Sequence, residues 1–119
     1  MVAKKKKYLM DCHLAGRKYH DADEVWDELK VGTILKLIHD KENRYDPNAV
    51  AVIYERKGKK NVVEDEFLLG YIPRVENEII ANFLEMGWNN LFECRVSKLN
   101  PDNHPEAQVY LTIKIKRNE

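Results

Sequence analysis

The 119-residue sequence is poor in the features that announce chemistry most directly. Its two cysteines, Cys12 and Cys94, stand far apart, which excludes a disulfide framework or a zinc knuckle and leaves buried free thiols as the expectation. The lone serine, Ser97, lies in a strand-like run, and neither cysteine has an activating neighbour, so acyl transfer through a side-chain nucleophile is not expected. Glycine is scarce and scattered: Gly70 is isolated and Gly58 sits in a lysine-rich stretch, so there is no phosphate-cradling loop and no basis for an ATPase. His13, His20, His39 and His104 have neither helical i, i+4 partners nor cysteine pairs; neither a bound metal nor a cofactor is expected. No apolar run approaches the roughly 20 residues that span a bilayer. The basic run Lys4 to Lys7 is followed by Tyr8-Leu9-Met10, which Asp11 interrupts at once, so no signal-peptide core is read and the expected location is cytoplasmic.

A surplus of charge is also missing. The 20 basic residues balance the 20 acidic ones, so a nucleic-acid binder would have to act through a local patch. Candidate patches are Lys4 to Lys7, Arg17-Lys18, the Arg56 to Lys60 run, and Lys114, Lys116 and Arg117; each taken alone reads as solvated surface.

What is present is a succession of short strand-like runs. Tyr8, Met10, Cys12 and Leu14 alternate with mostly polar neighbours, predicting a first strand at about residues 5–14. A short helical piece with Val25, Trp26 and Leu29 inward follows. Further strands are predicted at about 33–39, 49–54, 67–72, 91–99 and 107–116, with Arg56 to Glu66 as a charged hairpin loop. Pro73 opens the one long helix, with Val75, Ile79, Ile80, Phe83, Leu84 and Met86 inward, Glu76, Asn77, Glu78 and Glu85 outward, and Gly87 as its stop.

This order predicts a single, mainly β domain: a small six-stranded OB-like or SH3-like antiparallel barrel with one main helix after the fourth strand. Short strands need closure to remove exposed edges. An open sheet covered by the helix is the other architecture compatible with the pattern.

The most informative segment is Asn43-Arg44-Tyr45-Asp46-Pro47-Asn48-Ala49-Val50. Asp-Pro-Asn is strong turn chemistry, because Pro47 fixes its own φ and Asn48 tolerates unusual dihedrals, and the turn presents Tyr45 and Asp46 between two strands. Around it fall Arg17, Lys18 and Tyr19 after the first strand and Tyr71 with Arg74 after the fourth. Tyrosine rings can stack on bases, Arg and Lys can neutralise phosphates, and a carboxylate can accept a hydrogen bond from a sugar hydroxyl. The same residues are equally compatible with rim tyrosines, an Asp46 that only caps its turn, and solvated bases. Carboxylates such as Asp21, Asp23, Asp40, Glu42 and Asp46 are numerous, but no spacing ties two of them together.

Gly16-Arg17-Lys18-Tyr19, Asn43-Arg44-Tyr45-Asp46-Pro47-Asn48-Ala49-Val50 and Leu69-Gly70-Tyr71-Ile72-Pro73, leading into an apolar-faced helix, together resemble the HIRAN domain over about residues 8–116. The Asn-x-Tyr-Asp-x-Asn-Ala element is the specific part of the match. The domain occurs at the N-terminus of the helicase-like transcription factor and as free-standing bacterial proteins. The resemblance implies an OB-like barrel that binds single-stranded DNA and recognises a free 3′-hydroxyl end. It implies stacking by Tyr19 and Tyr45, acceptance of the terminal hydroxyl by Asp46, phosphate contacts from Arg17, Lys18 and Arg74, and Tyr71 near the same pocket. Lys18 departs from the pattern, since the eukaryotic module carries another aromatic there. Motor, zinc-binding and ubiquitin-ligase activities of multidomain relatives are not implied.

The expected function is a non-enzymatic DNA-binding module in repair or fork processing, with single-stranded DNA or its 3′ ends as partner, together with a helicase or nuclease protein. The alternatives are a protein-interaction domain using the same rim, and a metal-dependent nuclease built on Asp21, Asp23 and Asp46.

Overall fold

The structure, a computed structural model, describes residues 5–117; Lys4 of the basic run lies outside the described residues. The strands are β1 (Lys6–His13), β2 (Ile34–His39), β3 (Val50–Lys57), β4 (Val63–Tyr71), β5 (Phe92–Leu99) and β6 (Val109–Lys116). They form one antiparallel sheet in the order β1-β6-β5-β2-β3-β4. The α-helix α1 (Glu78–Glu85) packs near β2, and a 3₁₀ helix over Asp21–Glu28 packs on β4. The mainly β, OB-like architecture expected from the strand pattern is present.

The sheet curls without closing. The chain just after β1 meets β4 at an isolated bridge, where Ala15 and Tyr71 exchange backbone hydrogen bonds of 2.8 and 2.9 Å. Gly70 makes this approach possible, because a Cβ there would stand 2.5 Å from the Ala15 carbonyl oxygen and 3.0 Å from the Leu14 side chain. Any other residue would push the chain after β1 away from β4.

Inside the curl lies the apolar core. Val109, Leu111 and Ile113 alternate inward along β6 as their period predicts, and meet Leu14, Val50, Val52, Leu69, Ile72 and Ile80. Among the described residues no helix is long and apolar enough to cross a membrane.

Two segments differ from their sequence reading. The charged stretch Arg56 to Glu66 is mostly strand: β3 runs to Lys57 and β4 starts at Val63, so only a short turn separates them. Polar cross-strand pairs replace the apolar alternation that would have revealed these strand ends. Arg56 faces Asp65 in the register and also binds Glu28 at 2.6 Å. The helix is also shorter than its pattern. Arg74–Glu76 forms a separate 3₁₀ turn and α1 begins only at Glu78, so positions counted from Pro73 fall out of phase. Ile80, Ala81 and Leu84 are buried, whereas Val75 is 91% and Met86 78% exposed. Asn77, expected to face solvent, is buried, with only 2% of its surface exposed.

Candidate nucleic-acid interface

The loop joining β2 to β3 is organised by its own side chains. Asn43 Oδ1 accepts the backbone N–H groups of Tyr45 at 2.9 Å and Asp46 at 3.0 Å. One oxygen of Asp46 then accepts the Asn48 N–H at 2.9 Å. These are the side-chain turns that Asn and Asp form most readily. The backbone closes behind them through Asp40 N–H to the Ala49 carbonyl at 2.9 Å, with Ala49 itself buried. Tyr45 is left at the tip with its side chain 87% exposed.

The second oxygen of Asp46 accepts the Asn77 side-chain amide at 2.8 Å. Asn77 stands at the N-terminal boundary of α1, where an asparagine ordinarily caps the helix; here its side chain makes no cap and reaches the loop instead. Partial burial pushes the Asp46 carboxyl upward, but the Asn48 N–H, the Asn77 amide and the nearby Arg74 charge outweigh it and hold the group below its ordinary range. Asp46 is therefore an ionised acceptor at neutral pH. Of the roughly four acceptor positions of a carboxylate, hydrogen bonds to the protein occupy only some.

Tyr71, at the end of β4, donates its hydroxyl to Asp40 at 2.7 Å and meets the His20 ring edge-on at 5.5 Å. Burial and the Asp40 carboxylate raise the pKa of its hydroxyl. Together with Arg74, which is exposed, Tyr45, Asp46 and Tyr71 line an open depression of about 290 Å³ whose walls also include Asn43 and Asn77. Asp46, Arg74 and Asn77 separate it from a second hollow of about 420 Å³ beside Val75 and Glu78.

Arg17, Lys18 and Tyr19 do not line the depression, although Gly16 just before them does. Gly16 adopts φ +70°, a left-handed conformation suited to glycine, and its N–H donates to Glu106 at 2.8 Å. The following 3₁₀ turn, Arg17–Tyr19, leaves Lys18 exposed and Tyr19 80% exposed. Arg17 turns inward: it is buried, pairs with Asp23 at 2.8 Å and stacks over Trp26 at 4.4 Å. Its charge fastens the turn to the 3₁₀ helix over Asp21–Glu28.

The sequence reading missed Asn43 and Asn77 as site residues. Asn43 was signalled by its place two residues before Tyr45 in a turn-rich segment. Asn77 carried no usable signal, since its partner is 31 positions away. The carboxylates considered for metal chemistry are dispersed, with Asp23 on Arg17 and Asp46 on Asn48 and Asn77. Among the described residues no three His, Cys, Asp or Glu side chains gather closely enough to hold a metal ion.

The family model of the HIRAN domain matches residues 7–116. A Fanconi-associated nuclease 1 homolog of Oryza sativa subsp. japonica is 31% identical over 109 residues, covering 91% of this chain and 10% of that protein. The chain thus spans about a tenth of that relative's length. A crystal structure of a protein from Lactobacillus plantarum shares the fold, with a TM-score of 0.71 at 22% identity over 98% of this chain and 100% of that one. The chain belongs to the HIRAN domain family, whose members are generally DNA-binding modules without catalytic activity of their own.

Proposed function

We propose that this HIRAN module binds single-stranded DNA at the Tyr45–Asp46 depression and prefers a strand ending in a free 3′-hydroxyl. The carrying observation is an ionised carboxylate, Asp46, held beside an almost fully exposed aromatic ring, Tyr45, within one open hollow. A carboxylate that only accepts hydrogen bonds selects a donor, and a sugar hydroxyl is one. A terminal phosphate presents acceptors and negative charge, and is repelled.

The other side chains fit supporting roles. Tyr45 and Tyr19 offer exposed faces for base stacking, worth about 1–3 kcal/mol per base. Arg74 and Lys18 supply exposed cations for phosphates close to the end, and Tyr71, fixed by Asp40, forms part of the wall. Arg17 contributes by positioning the turn that carries Lys18 and Tyr19, because its guanidinium is committed to Asp23 and Trp26. Reading a strand end without cutting it suits a partner of a helicase or nuclease in DNA repair or fork processing.

The test is a titration of labelled single strands that end in a 3′-hydroxyl or a 3′-phosphate. The free end is expected to bind more tightly. Asp46→Ala should erase that preference, and Tyr45→Ala should weaken both strands. Equal affinities in the unaltered protein would remove the end-reading role, and no binding at low salt would remove the single-strand reading altogether.

A further inference from the structure

At the other end of β1 and β6 the register places cation against cation. Lys6 stands opposite Lys116, and the same register continues to Lys5 and Arg117, where the Arg117 N–H donates to the Lys5 carbonyl at 3.0 Å. Like charges directly opposite on an antiparallel pair oppose the pairing. The chain as a whole has no basic surplus, so this concentration is local.

The strand pleat divides these cations between two faces. On one face Lys6 is neutralised by Glu93, which also binds Arg95 at 3.0 Å. On the other, Lys5, Lys7 and Arg117 share a shallow hollow of about 360 Å³ with Ile115. All three are exposed, and among the described residues none has a carboxylate within ion-pair distance. Lys116 at the rim donates to Asn90 at 2.8 Å, a neutral partner.

We propose that Lys5, Lys7 and Arg117 form a second DNA contact, one that holds the phosphodiester backbone without reading its end. The assignment rests on DNA as the ligand and is independent of end recognition. From Lys7 to Ala15, just past the end of β1, the chain advances eight residues, so at ~3.3 Å per residue the patch lies on the order of 25 Å from the depression. At the ~3.4 Å axial rise per nucleotide of a base-stacked strand, that distance corresponds to about seven nucleotides, and to fewer in an extended strand. A strand seated by its terminus at Asp46 could then reach the patch with its continuation, and a strand with a blocked end or none would use the patch alone.

The experiment is a salt titration of the triple variant Lys5→Gln, Lys7→Gln, Arg117→Gln. The probes are single strands with a 3′-hydroxyl, single strands with a 3′-phosphate, and a closed single-stranded circle. Loss of three phosphate contacts is expected to flatten the slope of log affinity against log salt by about 2 for single strands. Binding of the circle should suffer most, while the preference for a free 3′ end survives. The charge-conserving variant Lys5→Arg, Lys7→Arg should keep the original slope.

An unchanged slope in the triple variant would overturn the proposal, as would loss of the end preference together with the slope. Tight binding of the unaltered protein to phosphatidylserine vesicles but to none of the DNA probes would overturn it too, and assign the patch to a lipid surface. Absence of end preference in the unaltered protein, with the slope still flattened in the variant, would defeat the end-reading function and leave the patch standing.

Discussion

The side-chain amide of Asn77 donates to Asp46 at 2.8 Å and so ties the start of α1 to the loop between β2 and β3. This bond joins a residue only 2% exposed to the carboxylate beside the exposed Tyr45 ring. It makes the orientation of Asp46 a property of the core as much as of the loop. Asn77→Ala is expected to cost about 1.5–3 kcal/mol, the range for losing a hydrogen bond to a charged group, measurable by urea unfolding. Because Asp46 titrates below its ordinary 3.8 when folded, its contribution is present above that value and lost as pH falls through the lower folded pKa. In Asn77→Ala the folded pKa should rise toward 3.8 and that acid window should narrow, as followed by NMR titration of the Asp46 carboxyl.

The bridge between Ala15 and Tyr71 depends on Gly70. Gly70→Ala would force a Cβ to 2.5 Å from the Ala15 carbonyl oxygen. A loss of about 1–3 kcal/mol in unfolding free energy is expected from overpacking at a site walled by backbone. Hydrogen exchange at the Ala15 and Tyr71 amides should accelerate more than at β5 and β6, since only the bridge between the outer strands is disturbed.

Glu93 carries an acid-sensitive part of the stability. A hydrogen bond from Arg95 lowers its pKa most, partial burial opposes this, and Lys6 adds to the lowering, with the carboxyl held at about 2 against an ordinary 4.5. The stabilisation is therefore fully present above about 4.5 and disappears as pH falls toward about 2. Glu93→Gln should cost about 1–3 kcal/mol at neutral pH and flatten the pH dependence of the urea midpoint across that acid range.

Both thiols are predicted to be inert in the folded protein. Burial pushes Cys12 up to about 12, and burial raises Cys94 as well, so little thiolate exists at mildly alkaline pH. A colorimetric thiol reagent should modify neither cysteine in native buffer and both in denaturant. Rapid modification of the native protein would contradict the burial of this part of the core.

Much of the fold was legible because burial in a curled sheet imposes period two. Val109, Leu111 and Ile113 sit inside where their alternation places them, and the strand order along the chain follows from such runs. The pattern failed where polar pairing replaces apolar contact. Arg56 and Asp65 hold the ends of β3 and β4 without an apolar stripe, and Val75 and Met86 keep a helical spacing while lying outside the buried face of α1.

The candidate site divides the same way. Tyr45 and Asp46 could be singled out because Asn43, Pro47 and Asn48 build the turn from neighbours within a few residues, and local turn chemistry is written in local sequence. Tyr71 and Arg74 could be grouped with them as loop aromatics and cations, but their convergence on one hollow depends on the fold.

By itself, then, the sequence determined the alternating strands, the turn that lifts Tyr45 and Asp46, and, through its motifs, membership of the HIRAN family. Tertiary structure alone decided that Arg17 lies buried between Asp23 and Trp26, that Asn77 holds Asp46, and that lysines and an arginine from β1 and the end of β6 share one hollow. The physical reason is range. Turns and strand periods arise from interactions among near neighbours, whereas an ion pair, a buried amide or a charged patch depends on which distant segments the closing core brings within a few ångströms of one another.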